Sequence, residues 1–209
     1  MKLLLTSKEK FLITKGYDLL GIPKDKLKIG YITTALKVVA DTEYLNYMKE
    51  YEIEMRKNNI SFEEFDIEGK NEEEIREFFK DKNVIQVSGG NPFYLLKSIR
   101  ESGFDKVLKD LLNEGLIYVG SSAGSYIMCP TIEVAAWKVG RNNYGLNDLT
   151  ALAYVPFLLK CHYTDSAKDT ILEKVKDLKY SLKILRDDQA FLVEDGNVMF
   201  IGDGEEVKI

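Results

Sequence analysis

The chain has 209 residues, 45% hydrophobic and 30% charged, with a formal net charge of -5. That length supports one sizeable core, and the composition excludes a disordered chain. The acidic balance excludes a general nucleic-acid binder, because phosphate contacts demand a basic surface, and no apolar run approaches the roughly 20 residues of a membrane span.

The opening "MKLLLTSKEKFLITKG" has neither the long apolar stretch nor the small-residue cleavage site of a signal peptide, so a cytoplasmic protein is expected. Two cysteines, Cys129 and Cys161, make no disulfide framework. Without a repeat, a low-complexity segment or a Pro/Gly/Ser-rich linker, residues 1–209 are read as a single domain.

"KLLLTS" (2–7) is a short apolar strand, and 8–21 carries helical spacing at Phe11, Leu12, Leu19 and Leu20 up to Gly21. A strand at 28–35, a helix over 41–58, a strand at 61–67 and an acid-started helix at 71–80 follow. "NVIQVSGG" (83–90) is the fourth strand; Asn91 caps the next helix, and Pro92 sits where a first-turn proline is tolerated. A helix over 104–114 and a strand at 115–122 complete the rhythm. Alternating strands and helices predict an α/β protein, a mostly parallel doubly wound sheet with helices on both faces. Beyond residue 130 the pattern loosens: 133–149 reads as an irregular connection over the site, 154–164 as extended, and 165–183 as a helix bearing Ile171, Val175, Leu178 and Leu182 on one face. Asp195-Gly196 and Asp203-Gly204 mark turns between short closing strands, an antiparallel hairpin at the C-terminus.

"IYVGSSAGSYIMCP" (117–130) holds the most telling pattern. Gly120-Ser121-Ser122-Ala123-Gly124 is a G-x-S-x-G elbow between a predicted strand and a predicted helix. A tight turn there would project the Ser122 hydroxyl, and the Ala123 N–H would point at an oxyanion. The alternative is a tightly packed or phosphate-binding loop. Gly89 and Gly90 end another strand that would open at the same carboxyl edge, and Gly90 with Ala123 would supply two oxyanion donors. His162 is the sole histidine, so any imidazole base for Ser122 must be this one. Its carboxylate partner is open among Asp148, Asp165, Asp187, Asp188 and Glu194. Asp165 reads as a helix-start acid and Glu194 as a hairpin residue, whereas "RDDQAF" places an acid at the sheet's edge. Cys129 reads as buried packing, and Cys161 points away from its neighbour His162.

Three segments, "VSGGNPFYLL" (87–96), "YVGSSAGSYIMCPTI" (118–132) and "CHYT" (161–164), together resemble the dipeptidase E, or α-aspartyl dipeptidase-like, serine peptidases. The resemblance implies a class I glutamine amidotransferase-like, flavodoxin-like fold, with Ser122 as nucleophile, His162 as base, and Gly90 and Ala123 as oxyanion donors. It implies Asp188 as third member, with Asp187 its competitor, where the family commonly has Glu. Asn91, Lys168 and Trp137 are the residues it implies near substrate. Aspartyl-specific members hold the substrate's acid with an arginine after the histidine; here there is none between Arg141 and Arg186, and Lys168 is the nearby cation. Lysine lacks the two-pronged donor geometry of arginine, and Trp137 stands near where those members carry an acid. Both departures point away from aspartate specificity. The expectation is a cofactor-free, metal-free serine peptidase acting on short peptides, a monomer or homodimer with no nucleic-acid or membrane partner. An α/β-hydrolase-type esterase, with Asp148 preceding His162, and a non-catalytic amidotransferase-like binding protein are the rivals.

Overall fold

The computed structural model describes residues 1–138 and 142–208. Nine strands are assigned among them: β1 (Lys2–Thr6), β2 (Lys28–Ile32), β3 (Ser61–Phe65), β4 (Val84–Val87), β5 (Ile117–Ser121), β6 (Leu158–Lys160), β7 (Leu182–Ile184), β8 (Gln189–Glu194) and β9 (Asn197–Gly202). Seven form one sheet in the order β3-β2-β4-β5-β1-β8-β9; β6 and β7 pair separately. β3, β2, β4, β5 and β1 run parallel, and β8 and β9 close the sheet antiparallel to their neighbours.

Strand β1 shows why the sheet is covered on both faces. Leu3 and Leu5 enter one apolar cluster, Leu4 enters a second on the opposite face, and all three are fully buried. Period-two alternation would leave one face polar in a half-exposed strand; here both faces are apolar, as a sandwiched parallel strand requires. Burying each such leucine contributes about 1.5–3 kcal/mol. The first face is packed by α3 (Glu72–Phe79), α4 (Pro92–Ser102) and α5 (Phe104–Asn113), through Phe79, Leu95, Ile99 and Leu108. The second is packed by α1 (Lys10–Thr14) and α2 (Thr42–Lys57), through Phe11, Leu12, Met48 and Met55.

Local chemistry sets the helix starts. Asn71 opens α3 with a reciprocal capping box: its side chain accepts from Glu74 N, and Glu74 accepts from Asn71 N, each at 3.0 Å. Asn91 opens α4, its Oδ1 accepting from Phe93 N (2.9 Å) and Tyr94 N (3.1 Å) with Pro92 in the first turn.

Two expected helices are shorter than their periodicity suggests. The 8–21 segment is α-helical only over Lys10–Thr14 and continues as a 3₁₀ turn, Gly16–Leu20. The 165–183 segment is α-helical only as α7 (Lys168–Lys174), and Leu182 instead starts β7, in parallel register with Leu158 of β6. Tertiary pairing overrides helical spacing there, since Leu182 packs against both the main core and a small Tyr163–Ile171–Ile184 cluster. Of the irregular 133–149 connection, Glu133–Trp137 forms a 3₁₀ turn, and residues 139–141 lie outside the described residues. The Asp195-Gly196 turn joins β8 to β9, but after Asp203-Gly204 the chain only bridges back, Val207 to Ile184.

This topology places three loops at one edge. β4, β5 and β1 are parallel and adjacent, so the segments leaving their carboxyl ends, 88–90, 122–123 and 7–9, emerge side by side. In open α/β sheets that edge is where ligands bind. No described helix is long and apolar enough to cross a membrane.

Candidate active site

At the end of β5 the chain reverses sharply through Ser122, at φ 45° and ψ -100°, before α6 (Ala123–Tyr126). A positive φ is strained for a residue with a Cβ. The turn is held by neighbours: Ser122 N donates to Thr6 O at 3.0 Å, and Ser122 O accepts from Ser125 N and Tyr126 N, both at 2.9 Å. Ser125 Oγ lies 2.8 Å from both Thr6 O and Gly120 O. The flanking glycines are needed for space: a Cβ on Gly120 would stand 2.5 Å from Gly124 O, and one on Gly124 would stand 2.3 Å from Val87 O. The elbow therefore packs directly onto β4 and leaves Ser122 half-buried with its hydroxyl turned to a cleft.

His162 follows β6, and its exposed ring reaches that hydroxyl. Its backbone is also in the left-handed region, φ 58°, and its N–H donates to Ser7 Oγ at 2.8 Å. Nε2 lies 2.9 Å from Ser122 Oγ, and Nδ1 lies 2.6 Å from Asp187 Oδ1. The resemblance puts Asp188 in that place ahead of Asp187; the structure brings Asp187 to the ring, while Asp188 is exposed beside Arg186. The reason is a turn. Gln189 N donates to Arg186 O at 3.2 Å, so the two acids form the corner of a tight reversal, and adjacency to β8 does not decide which faces the ring. Asp187 also accepts from Ser7 Oγ at 3.1 Å, and Lys8 Nζ stands 3.8 Å from its Oδ2. The hydrogen bond to His162 holds the Asp187 carboxyl below the ordinary carboxylate range, against the opposing effect of burial. The other acids are engaged elsewhere: Asp148 with Arg100 (3.2 Å), Asp165 with Arg186 (2.6 Å) and Glu194 with Lys2 (3.6 Å).

The cleft, about 330 Å³, is lined by Ser122, His162, Gly90 and Asn91, with Lys8, Lys138, Asp41, Tyr44, Val38 and Val39 around them. Gly90 adopts φ 129°, and a Cβ there would collide with Ala35 O at 2.3 Å; only glycine fits. Asn91 reaches the cleft, but its Oδ1 is spent on capping α4, and its Nδ2 donates to Asn142 O at 3.3 Å. Lys168 and Trp137 are not in the cleft wall. Lys168 begins α7, whose buried side is set by Ile171, and it stays exposed. Trp137 packs half-buried against the Tyr163–Ile171–Ile184 cluster, with Lys174 Nζ 5.7 Å from its ring. Among the described residues, the cations lining the cleft are Lys8 and Lys138.

The loop after β1 is what sequence reasoning missed. Thr6, Ser7 and Lys8 contact the elbow, the histidine backbone and the acid in turn. A legible signal existed: a run of polar residues, "TSKEK", at the carboxyl end of an apolar strand of the parallel sheet. Cys129 is a packing residue, as read, and Cys161 is buried too: burial pushes the Cys161 thiol up to about 12 and Cys129 higher still. Among the described residues no cluster of three or more His, Cys, Asp or Glu could hold a metal ion.

A doubly wound sheet presenting a strained serine, an imidazole and a carboxylate at its carboxyl edge is the architecture of a serine-type hydrolase. Comparison with known proteins narrows the class. Residues 9–205 match the model of peptidase family S51. The chain is 28% identical over 175 residues to the uncharacterised peptidase Lin0382 of Listeria innocua, covering 82% of each. It is also 33% identical over 93 residues to peptidase E of Salmonella arizonae, covering 43% of this chain and 38% of that one. A crystal structure assigned as a peptidase E protein from Listeria monocytogenes superposes with a TM-score of 0.81 at 23% identity, over 97% of this chain and 98% of that one. The chain belongs to peptidase family S51, as a serine peptidase of the peptidase E-like kind.

Proposed function

We propose that this peptidase hydrolyses short peptides through an acyl-enzyme on Ser122, with His162 as general base and Asp187 as the acid that orients it. The observation that carries this reading is the continuous line Ser122 Oγ–His162 Nε2 (2.9 Å) and His162 Nδ1–Asp187 Oδ1 (2.6 Å). With Nδ1–H donating to Asp187, Nε2 is free to accept the Ser122 proton. Ser122 Oγ then attacks the peptide carbonyl, and the resulting imidazolium is stabilised by the Asp187 carboxylate. His162 returns the proton to the leaving amine as the C–N bond breaks. A water, deprotonated by the same imidazole, attacks the ester and regenerates Ser122.

The tetrahedral oxyanion falls to the amides of Gly90 and Ala123. Among the described residues neither N–H has a protein acceptor, which suits donors kept for a transient charge. Asp187, rather than Asp188, is the proposed third member because it alone of the two touches the ring. The engagement of Asp148 with Arg100 removes the partner that an esterase of the α/β-hydrolase order would use. Lys8, Lys138 and Asp41 on the cleft wall suit a ligand carrying both charges, as a short peptide with free ends does. Lys8 and Lys138 take the substrate-facing place for which Lys168 is unsuited.

The test is a fluorophosphonate labelling and peptide screen. Wild-type protein is expected to take one adduct at Ser122 and to cleave members of a di- and tripeptide library, while Ser122→Ala does neither. Absence of an adduct in active-pH buffer would favour a binding protein, and turnover of esters but no peptide would favour an esterase.

A further inference from the structure

The turn after β1 carries a carboxyl that this mechanism does not use. Glu9 is 1% exposed, the one charged side chain buried to that degree among the described residues. Its Oε1 accepts from Gly89 N at 2.8 Å. A buried acid is costly unless something holds it, so its hydrogen bond to the Gly89 backbone is informative.

The 88–91 loop is anchored on either side of that contact. Ser88 N donates to Ile32 O at 3.0 Å, and Asn91 N donates to Ala35 O at 2.9 Å. Between those anchors lie two glycines, which have the widest choice of backbone angles of any residue. Gly89 N–H donates to Glu9, and the tight surroundings show how closely this point approaches the elbow. A Cβ placed on Gly89 would stand 2.3 Å from the Tyr44 hydroxyl, 3.0 Å from Glu9 Oε1 and 3.4 Å from Ser122 Cβ.

We propose that Glu9 is a positioning residue: its hydrogen bond to Gly89 fixes the glycine turn so that the Gly90 amide faces the carbonyl attacked by Ser122. This rests on the reading of Ser122 as nucleophile and Gly90 as oxyanion donor. Glu9 touches no substrate and acts only through the loop. Burial raises its pKa above the usual carboxylate value, and a neutral carboxyl still offers its carbonyl oxygen to Gly89 N–H. An amide of the same shape would do the same, whereas a thioether of similar volume would not.

The experiment compares Glu9→Gln and Glu9→Met in the full chain, using the best peptide from the screen and the rate of fluorophosphonate labelling. Glu9→Gln is expected within threefold of wild type on both. Glu9→Met is expected to lose about 10- to 100-fold in kcat, less than deleting an oxyanion donor outright, with KM changed less than threefold and labelling slowed in parallel. Circular dichroism reports whether Glu9→Met folds; if it does not, Glu9→Asp, which withdraws the acceptor by one methylene, is expected to show the same kcat loss at constant KM. A Glu9→Met (or, in its place, Glu9→Asp) kcat within threefold of wild type would overturn the proposal, as would Glu9→Gln falling as far as that variant. Failure of the underlying reading is separately visible as wild-type protein that takes no adduct at Ser122.

Discussion

Replacing Asp187 by alanine tests the proposed triad at the point where the family resemblance and the structure part. When Ser122 attacks, His162 becomes an imidazolium with the Asp187 carboxylate against Nδ1. Two unit charges centred about 4 Å apart interact by about 4 kcal/mol at an effective dielectric of about 20. Both side chains are nearly half exposed, 46% and 49%, so water recovers part of that loss, leaving about 3–4 kcal/mol. At 1.36 kcal/mol per tenfold, Asp187→Ala should lower kcat/KM by about 10²–10³. Asp187→Asn should cost more, about 10³–10⁴, because its amide can donate to Nδ1, favouring the tautomer with the proton on Nε2 and so blocking acceptance from Ser122. Asp188→Ala should stay within threefold of wild type. The assay is kcat/KM on a cleaved peptide, with the rate of fluorophosphonate labelling as a second measure of the serine's reactivity. An Asp188→Ala loss matching that of Asp187→Ala, or an Asp187→Ala loss below tenfold, would refute the reasoning.

Ser122→Ala and His162→Ala should each abolish peptide turnover to about the same residual rate, since the two act as one unit; full activity in His162→Ala would defeat the assignment. Asn91→Ala should cost about 1 kcal/mol of stability by removing the α4 cap, while Asn91→Asp keeps the acceptor and the stability; equal urea midpoints for the two variants would contradict the capping role. Gly124→Ala must push a methyl against Val87 O, 2.3 Å away, and should destabilise the fold by about 1–3 kcal/mol; a melting temperature equal to wild type would count against the tight elbow. Glu9 sits among Tyr17, Tyr31, Tyr47, Tyr51, His162 and Lys8, and its pKa is raised mainly by burial. The folded state therefore binds this proton more tightly than the unfolded chain, and wild-type stability falls as pH rises from about 4.5 toward the folded pKa. Glu9→Gln lacks that penalty, so its stability relative to wild type, from urea unfolding at pH 4.5 and 7.5, should grow with pH. A difference that shrinks would show the shift to have the opposite sign.

Much of this protein is legible in one dimension because its determinants are local. The alternation of strands and helices predicts a parallel sheet, and the Asn91 cap lies where the sequence places it because a cap bonds within three residues of itself. The G-x-S-x-G elbow is equally local: Gly120 and Gly124 are needed by contacts within one turn and with the adjacent strand. As the sole histidine, His162 requires no geometry to be nominated as base. The segment after Ser166 shows the limit, for its helical spacing is genuine, yet Leu182 leaves the helix to pair with Leu158, and nothing near Leu182 encodes that partner.

The amino-acid sequence by itself determined the sheet's character, the elbow and the identity of the imidazole, since each follows from neighbours along the chain. Tertiary structure alone decided which of two adjacent acids meets that imidazole, because the Arg186–Gln189 reversal, not position relative to β8, sets their directions. It also decided that Ser7, Lys8 and Glu9 belong to the site. Those three are more than 110 residues from Ser122 in the chain, and they reach it only because β1 and β5 lie side by side in parallel and end at the same edge of the sheet.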